Sequence, residues 1–177
     1  MNAVGLHRLG HWAWRHRLPV LPKLVHLAML VIYGSRIGSS CVVGRGTQLA
    51  YKGMGVLIVS GTKIGERCMI GAGCKIIRKF PYRNVPVLDD NIYIGPNAVI
   101  CGPVHVESDA IIAPNAVVVN SVRRGCIVGG IPARVIGHVD LLDYDISTNP
   151  QFKEGWAAFL EMPDRVASSL SKGADGR

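Results

Sequence analysis

The sequence predicts an all-β solenoid, a parallel β-helix with short helices before the coil and one after it. Two observations carry this expectation. From Ile37 onward an aliphatic residue recurs every six positions, commonly followed by glycine, with a small residue four places on. Glycine accounts for 21 of the 177 residues and aromatic residues for only 6%, as a chain that bends often around a narrow core requires.

Residues 1–34 read as a helical cap. Leu6, Leu9, Trp12 and Trp14 lie near helical spacing, Pro19 and Pro22 interrupt, and a short apolar helix starts at Lys23. These helices are expected to cover the open first turn of the coil. His7 and His11 stand four apart and offer two metal ligands from one helix face, but no third ligand is evident, so ordinary helix surface is the favoured account. The apolar run Leu24 to Tyr33 is far shorter than the roughly 18 residues that span a bilayer. A signal peptide is disfavoured as well, because no small-residue cleavage site follows that run.

Residues 35–137 carry the repeat. Ile37-Gly38 leads to Cys41, Val43-Gly44 to Thr47, Leu49-Ala50 to Gly53, Ile64-Gly65 to Cys68 and Ile70-Gly71 to Cys74. After a break between Ile77 and Val87, Leu88-Asp89, Ile94-Gly95 to Ala98, Ile100-Cys101 to Val104, Val106-Glu107 to Ala110 and Ile112-Ala113 to Ala116 resume it. Each aliphatic residue points inward from a short strand, and each small residue marks a bend to the next side. The glycines are expected to supply backbone angles that other residues resist. Cys41, Cys68 and Cys74 fall at the bend and read as small filler rather than reactive thiols. Counting repeats gives roughly five rungs.

Residues 138–177 form an extension in which Phe152, Trp156, Phe159 and Leu160 have the spacing of an amphipathic helix. The formal charge of +8 points to a polyanionic partner: nucleic acid, an anionic membrane surface or a phosphorylated ligand. No long Lys/Arg block interleaved with aromatics is present, which disfavours nucleic acid. Five cysteines without a CxxC pair suit reduced thiols and a cytoplasmic location.

The chain resembles the hexapeptide-repeat acetyltransferases, and within them serine O-acetyltransferases and their relatives from polysaccharide gene clusters. The carriers are Arg8-Leu9-Gly10-His11-Trp12-Ala13-Trp14, Ile37-Gly38, Gly53-Met54-Gly55-Val56, Asn91-Ile92-Tyr93-Ile94-Gly95 and, most specific, Val128-Gly129-Gly130-Ile131-Pro132-Ala133-Arg134-Val135. The resemblance implies a left-handed coil, assembly into trimers, acetyl-CoA as co-substrate without a metal, and a loop near 78–86 extruded over the active site. It places cofactor contacts at Pro96, Asn97 and Ala98 and at Ala113, Pro114 and Asn115. Arg134 is a phosphate partner or a solvated cation; Arg123 and Arg124 bind the 3′-phosphate or form a basic surface turn.

Transfer of an acetyl group needs a base for the acceptor's proton, and in this family the base is a histidine. The matching positions hold Tyr51 and Lys52 instead, and a second family histidine maps near Tyr82 or Val85. The candidates left are His105, the only histidine of the repeat region before its C-terminal segment, Tyr82 on the extruded loop, and Lys52. A non-catalytic scaffold that keeps the cofactor groove is the alternative. The resemblance also implies an acceptor from saccharide or envelope synthesis rather than serine. It implies no cysteine-synthase complex, since the chain ends in Arg177 where complex-forming enzymes have isoleucine.

Overall fold

The computed structural model describes residues 3–142; the helix expected around Phe152 to Leu160 lies outside them. Two helices, α1 (Ala3–Arg15) and α2 (Leu21–Tyr33), lead into a parallel β-helix of about four turns. Its three faces are stacks of two- to four-residue strands. Face A holds Arg36–Ile37, Leu57–Ile58, Lys75–Ile77, Val99–Cys101 and Val117–Val118. Face B holds Val42–Val43, Lys63–Ile64, Val87–Leu88 and His105–Val106. Face C holds Gln48–Leu49, Met69–Ile70, Tyr93–Ile94, Ile111–Ile112 and Cys126–Gly129.

The six-residue periodicity becomes three inward columns. Ile37, Ile58, Ile76, Ile100 and Val118 are stacked in register on face A. Val43, Ile64, Leu88 and Val106 line face B, and Leu49, Ile70, Ile94, Ile112 and Val128 line face C. Nearly all are buried, and each contributes roughly 1.5–3 kcal/mol through removal from water. Four full turns and the start of another replace the five rungs counted from the repeats, because Leu49 to Ile58 and Ile77 to Val87 exceed one hexad.

The glycines after the aliphatic residues do a different job from the one expected. Positive φ belongs to other glycines, such as Gly46, Gly73 and Gly102, and to Asn91, Asn97, Asp109 and Asn115 at the bends. Gly71 and Gly95 instead sit where a Cβ would lie 2.6 Å from the amide nitrogen of Pro96 and 2.5 Å from that of Pro114, one turn on. They are there for close approach, not for angle.

At the bends, Cys41, Cys68 and Cys74 are buried, with each thiol 3.0–3.2 Å from a carbonyl of the following turn: Val59, Asp89 and Gly95. Burial pushes all three thiols up to about 11, so they stay protonated at neutral pH.

Amides bond to both neighbouring turns: Arg36 to Val56, Gly38 to Ile58 and Leu57 to Cys74 one turn up, Asn97 to Ala72 and Gly102 to Ile77 one turn down. At the first turn, carbonyls that point away from the second have no preceding turn to meet. The helices supply donors instead. His26 Nε2 lies 2.9 Å from the Ile37 carbonyl, His11 Nδ1 2.8 Å from that of Ser39, and His7 Nε2 3.2 Å from that of Cys41. Arg8 reaches the Gly44 carbonyl at 3.3 Å. A carbonyl only accepts, so each of these ring nitrogens carries a proton. His7 is not helix surface, as its spacing suggested; it is 2% exposed. Among the described residues no group of three or more metal-ligating side chains occurs. At the other end Arg134–His138 folds back antiparallel on Cys126–Gly129, a return that the hexad pattern does not show.

Two outcomes are expected. Gly71→Ala, at a position without positive φ, should cost about 1–3 kcal/mol by overpacking, read from the denaturant midpoint. For His7, burial lowers the imidazole pKa from 6.5 to about 4. Below 6.5 the unfolded chain binds the extra proton first, so this stability is complete above 6.5 and drains away as pH falls towards 4. The loss is about 3 kcal/mol at most. Thermal unfolding of His7→Gln across that range should show a flatter pH profile than the parent.

Candidate active site and cofactor edge

Side chains for chemistry project from the three edges where faces meet. A side of six residues at ~3.3 Å each is up to about 20 Å long, and that length separates one edge of a chain from the next.

The edge between faces C and A collects most of the positions nominated for cofactor binding. Pro96-Asn97-Ala98 and Ala113-Pro114-Asn115 are successive bends there. The Asn97 amide donates to the Ala72 carbonyl and the Asn115 amide to that of Pro96, both at 2.9 Å. Asn97 and Asn115 each take φ 59°, which their short polar side chains tolerate. Arg134 joins this edge from above: it pairs with Gly129, whose α-carbon would place a Cβ 3.2 Å from Ala113 Cβ. Its guanidinium is exposed and donates to the Ala133 carbonyl at 2.9 Å.

Lys52 lies lower on the same edge. It sits with Tyr51 in a kinked turn, Ala50–Gly53, where both residues have positive φ and are exposed.

Arg123 and Arg124 stand elsewhere, on the edge between faces B and C. Arg124 Nε and Nη2 are both 2.8 Å from Asp109 Oδ2, and its amide donates to Glu107 Oε2 at 2.9 Å. Asp109 also accepts from Asn91, which in turn accepts from Arg67. Arg124 thus ends a polar ladder that ties turns together.

The third edge, between faces A and B, carries the extruded loop, and His105 opens the face B strand that follows it. Residues 78–86 connect Lys75–Ile77 to Val87–Leu88, with Phe80 93% and Tyr82 53% exposed. The loop leaves beside the next turn's bend, where the Gly102 amide donates to the Ile77 carbonyl at 3.1 Å. Just past that bend, His105 Nε2 is 2.9 Å from Asp89 Oδ1, and the His105 amide donates to Ser121 Oγ at 3.0 Å. Both side chains are about half exposed.

The pair follows from the register. Leu88 and Val106 face each other inside, so Asp89, one residue after the first, and His105, one before the second, both point outward on adjacent strands. Reading Asp89 only as a repeat position missed it. The parity of the two positions across one turn is the signal that finds it. With Nε2–H donated to the carboxylate, Nδ1 retains a lone pair able to accept a proton.

No family model matches the chain. It is 32% identical over 149 residues to a serine acetyltransferase of Synechococcus elongatus, covering 81% of this chain and 61% of that one. It is 28% identical over 171 residues to a serine acetyltransferase of Mycobacterium tuberculosis, covering 96% and 70%. The fold matches a serine acetyltransferase of Brucella abortus, solved in complex with coenzyme A, with a TM-score of 0.74 and 25% identity over 77% of this chain and 55% of that one. The chain belongs to the hexapeptide-repeat acyltransferase family, and the coil is the left-handed parallel β-helix of serine acetyltransferases. It spans less than two thirds of the length of the first of these relatives.

The Asp89 contact defines the imidazole's tautomer. Long-range 15N–1H correlation at neutral pH should show His105 as the Nε2–H form, and Asp89→Asn should release it into a mixture. An unchanged tautomer in the variant would remove Asp89 as the orienting group.

Proposed function

We propose that the chain transfers an acetyl group from acetyl-CoA to a small acceptor bearing a hydroxyl or an amine. The observation that carries this is the joint occupancy of one edge by the stacked bends 96–98 and 113–115 and by Arg134, in a fold shared with a protein solved in complex with coenzyme A. The exposed asparagines Asn97 and Asn115 at the bends suit a pantetheine arm, and a guanidinium suits a phosphate. Arg123 completes the anion site from a neighbouring copy; Arg124, held by Asp109, does not take part.

His105 is the proposed base. The acceptor oxygen or nitrogen attacks the thioester carbonyl while its proton passes to His105 Nδ1. The tetrahedral intermediate collapses with cleavage of the C–S bond, and the imidazolium returns the proton to the departing thiolate. Asp89 holds the ring in the orientation that leaves Nδ1 outward-facing for the acceptor's proton.

Within one chain the His105 edge and the cofactor edge are separate, so the reaction needs a second copy. A three-fold assembly brings the edge between A and B of one copy to the edge between C and A of the next. Tyr82, on the loop beside His105, then faces the acceptor, and Lys52 faces the cofactor side. A saccharide or cell-envelope precursor is the proposed acceptor, and the cytoplasm the proposed location.

A second reading, a coenzyme A-binding scaffold without catalysis, rests on the family resemblance: Tyr51 and Lys52 stand where it implies an Asp–His pair.

Calorimetry with desulfo-CoA and thiol release from acetyl-CoA over a panel of sugars, amino sugars and amino acids separate the two. Arg134→Ala should weaken binding by about 1.5–3 kcal/mol, the range for a charged hydrogen bond. His105→Asn should lower kcat by roughly 10²–10⁴-fold with binding intact. Binding without turnover over the whole panel selects the scaffold; full turnover in His105→Asn moves the base to Tyr82 or Lys52.

A further inference from the structure

The net charge of the chain is confined to its first 65 residues. They contain eight Lys or Arg (Arg8, Arg15, Arg17, Lys23, Arg36, Arg45, Lys52 and Lys63) and no Asp or Glu before Glu66. The remaining residues hold 12 basic and 12 acidic side chains, which cancel, so the +8 of the whole chain arises entirely from this segment.

The same segment carries an unpartnered apolar helix. α2 buries only Val25, which lies against Gly10 of α1, and Met29. On its opposite side Leu24, Leu27 and Val31 form a strip at helical spacing, flanked by Leu30 and Ile32, and all five are more than half exposed. Lys23 is the only Lys, Arg, Asp or Glu in the helix. The connector before it adds exposed Leu18 and Val20 beside Arg15 and Arg17, and α1 exposes Trp12 at 52%. A helix that is apolar on all sides belongs against another apolar phase.

We propose that this face docks on the surface of an anionic lipid bilayer, with α2 lying in the plane of the interface. At 13 residues, about 20 Å, the helix is too short to cross a hydrocarbon layer of about 30 Å. The strip of leucines, valine and isoleucine enters the acyl boundary, Trp12 sits at headgroup level, and Arg15, Arg17 and Lys23 meet the lipid phosphates. A second copy of the chain is a poorer occupant. Two such faces meeting would oppose like charges, with no carboxylate in the first 65 residues of either to offset them. Docking is independent of acetyl transfer, because the cofactor edge and His105 lie on the coil rather than on the helices.

Flotation of the intact chain with vesicles of phosphatidylcholine plus phosphatidylglycerol, against phosphatidylcholine alone, tests the proposal. Binding is expected to the anionic vesicles only, and to weaken as salt rises. Arg15→Ala/Arg17→Ala/Lys23→Ala should lower partitioning roughly a hundredfold. Leu27→Glu/Val31→Glu should abolish it, with circular dichroism and desulfo-CoA affinity unchanged. No flotation with anionic vesicles, or flotation of both variants equal to that of the parent, overturns the proposal. A smaller particle mass of Leu27→Glu/Val31→Glu in sedimentation, without vesicle binding by the parent, assigns the face to a second copy.

Discussion

Turn-to-turn hydrogen bonding needs a neighbour on both sides of each turn, and most of the molecule follows from that. Backbone groups along the coil bond both to the turn above and to the turn below, so the first and the last turn each present polar groups that no further turn can meet. Neither end can be left in an apolar environment without cost. The two ends are closed by different chemistry. Donors are needed below, and three histidines and an arginine from the helices provide them. Above, the chain doubles back and pairs Arg134–His138 with the last long strand. The helices are thus not an appended module. They stand in for a missing turn, and their register on the coil is set by which carbonyl each ring reaches.

The same stacking decides where the chain can vary. Inside the faces there is no room: the inward columns are filled with isoleucine, leucine and valine, and even a methyl group at Gly71 or Gly95 meets backbone. Extra residues are admitted only at edges, as in the Ala50–Gly53 turn and the 78–86 loop. The candidate bases gather at these places, Lys52 in the first insertion and Tyr82 in the second, with His105 beside the latter. Placing chemistry at the edges leaves the core untouched, and the coil provides a rigid ruler on which positions one turn apart become neighbours.

Much of this was legible in the sequence because the hexad acts locally. A six-residue period with an inward aliphatic residue dictates a bend and a column, and Ile37 to Val106 could be assigned without knowing handedness. What escaped depends on contacts between turns. The glycine after each aliphatic residue looked like a conformational device, and only the approach of the next turn reveals it as a steric one. His7 and His11 looked like helix surface because their acceptors are carbonyls some 30 residues away. Asp89 looked like a repeat position because its partner lies one turn up. Among the nominated cofactor residues, spacing could not separate Arg134, which shares the edge of Asn97 and Asn115, from Arg124, which a carboxylate holds on another.

The division of the candidate groups among three edges has a consequence for how such a coil performs chemistry. A prism of three equal sides places its edges too far apart for a base on one to serve a thioester on another. Association around a three-fold axis removes that limit, because unlike edges of neighbouring copies are brought face to face, and it generates three equivalent sites at once. A base outside the family's usual position then need not signal a lost activity. His105 opens a face B strand, paired with Val87 where the extruded loop returns to the coil, and is oriented by Asp89. In the proposed assembly the rigid stack of each copy would hold its own half of the site, so precision would depend on the interface between copies and not on any movement within one.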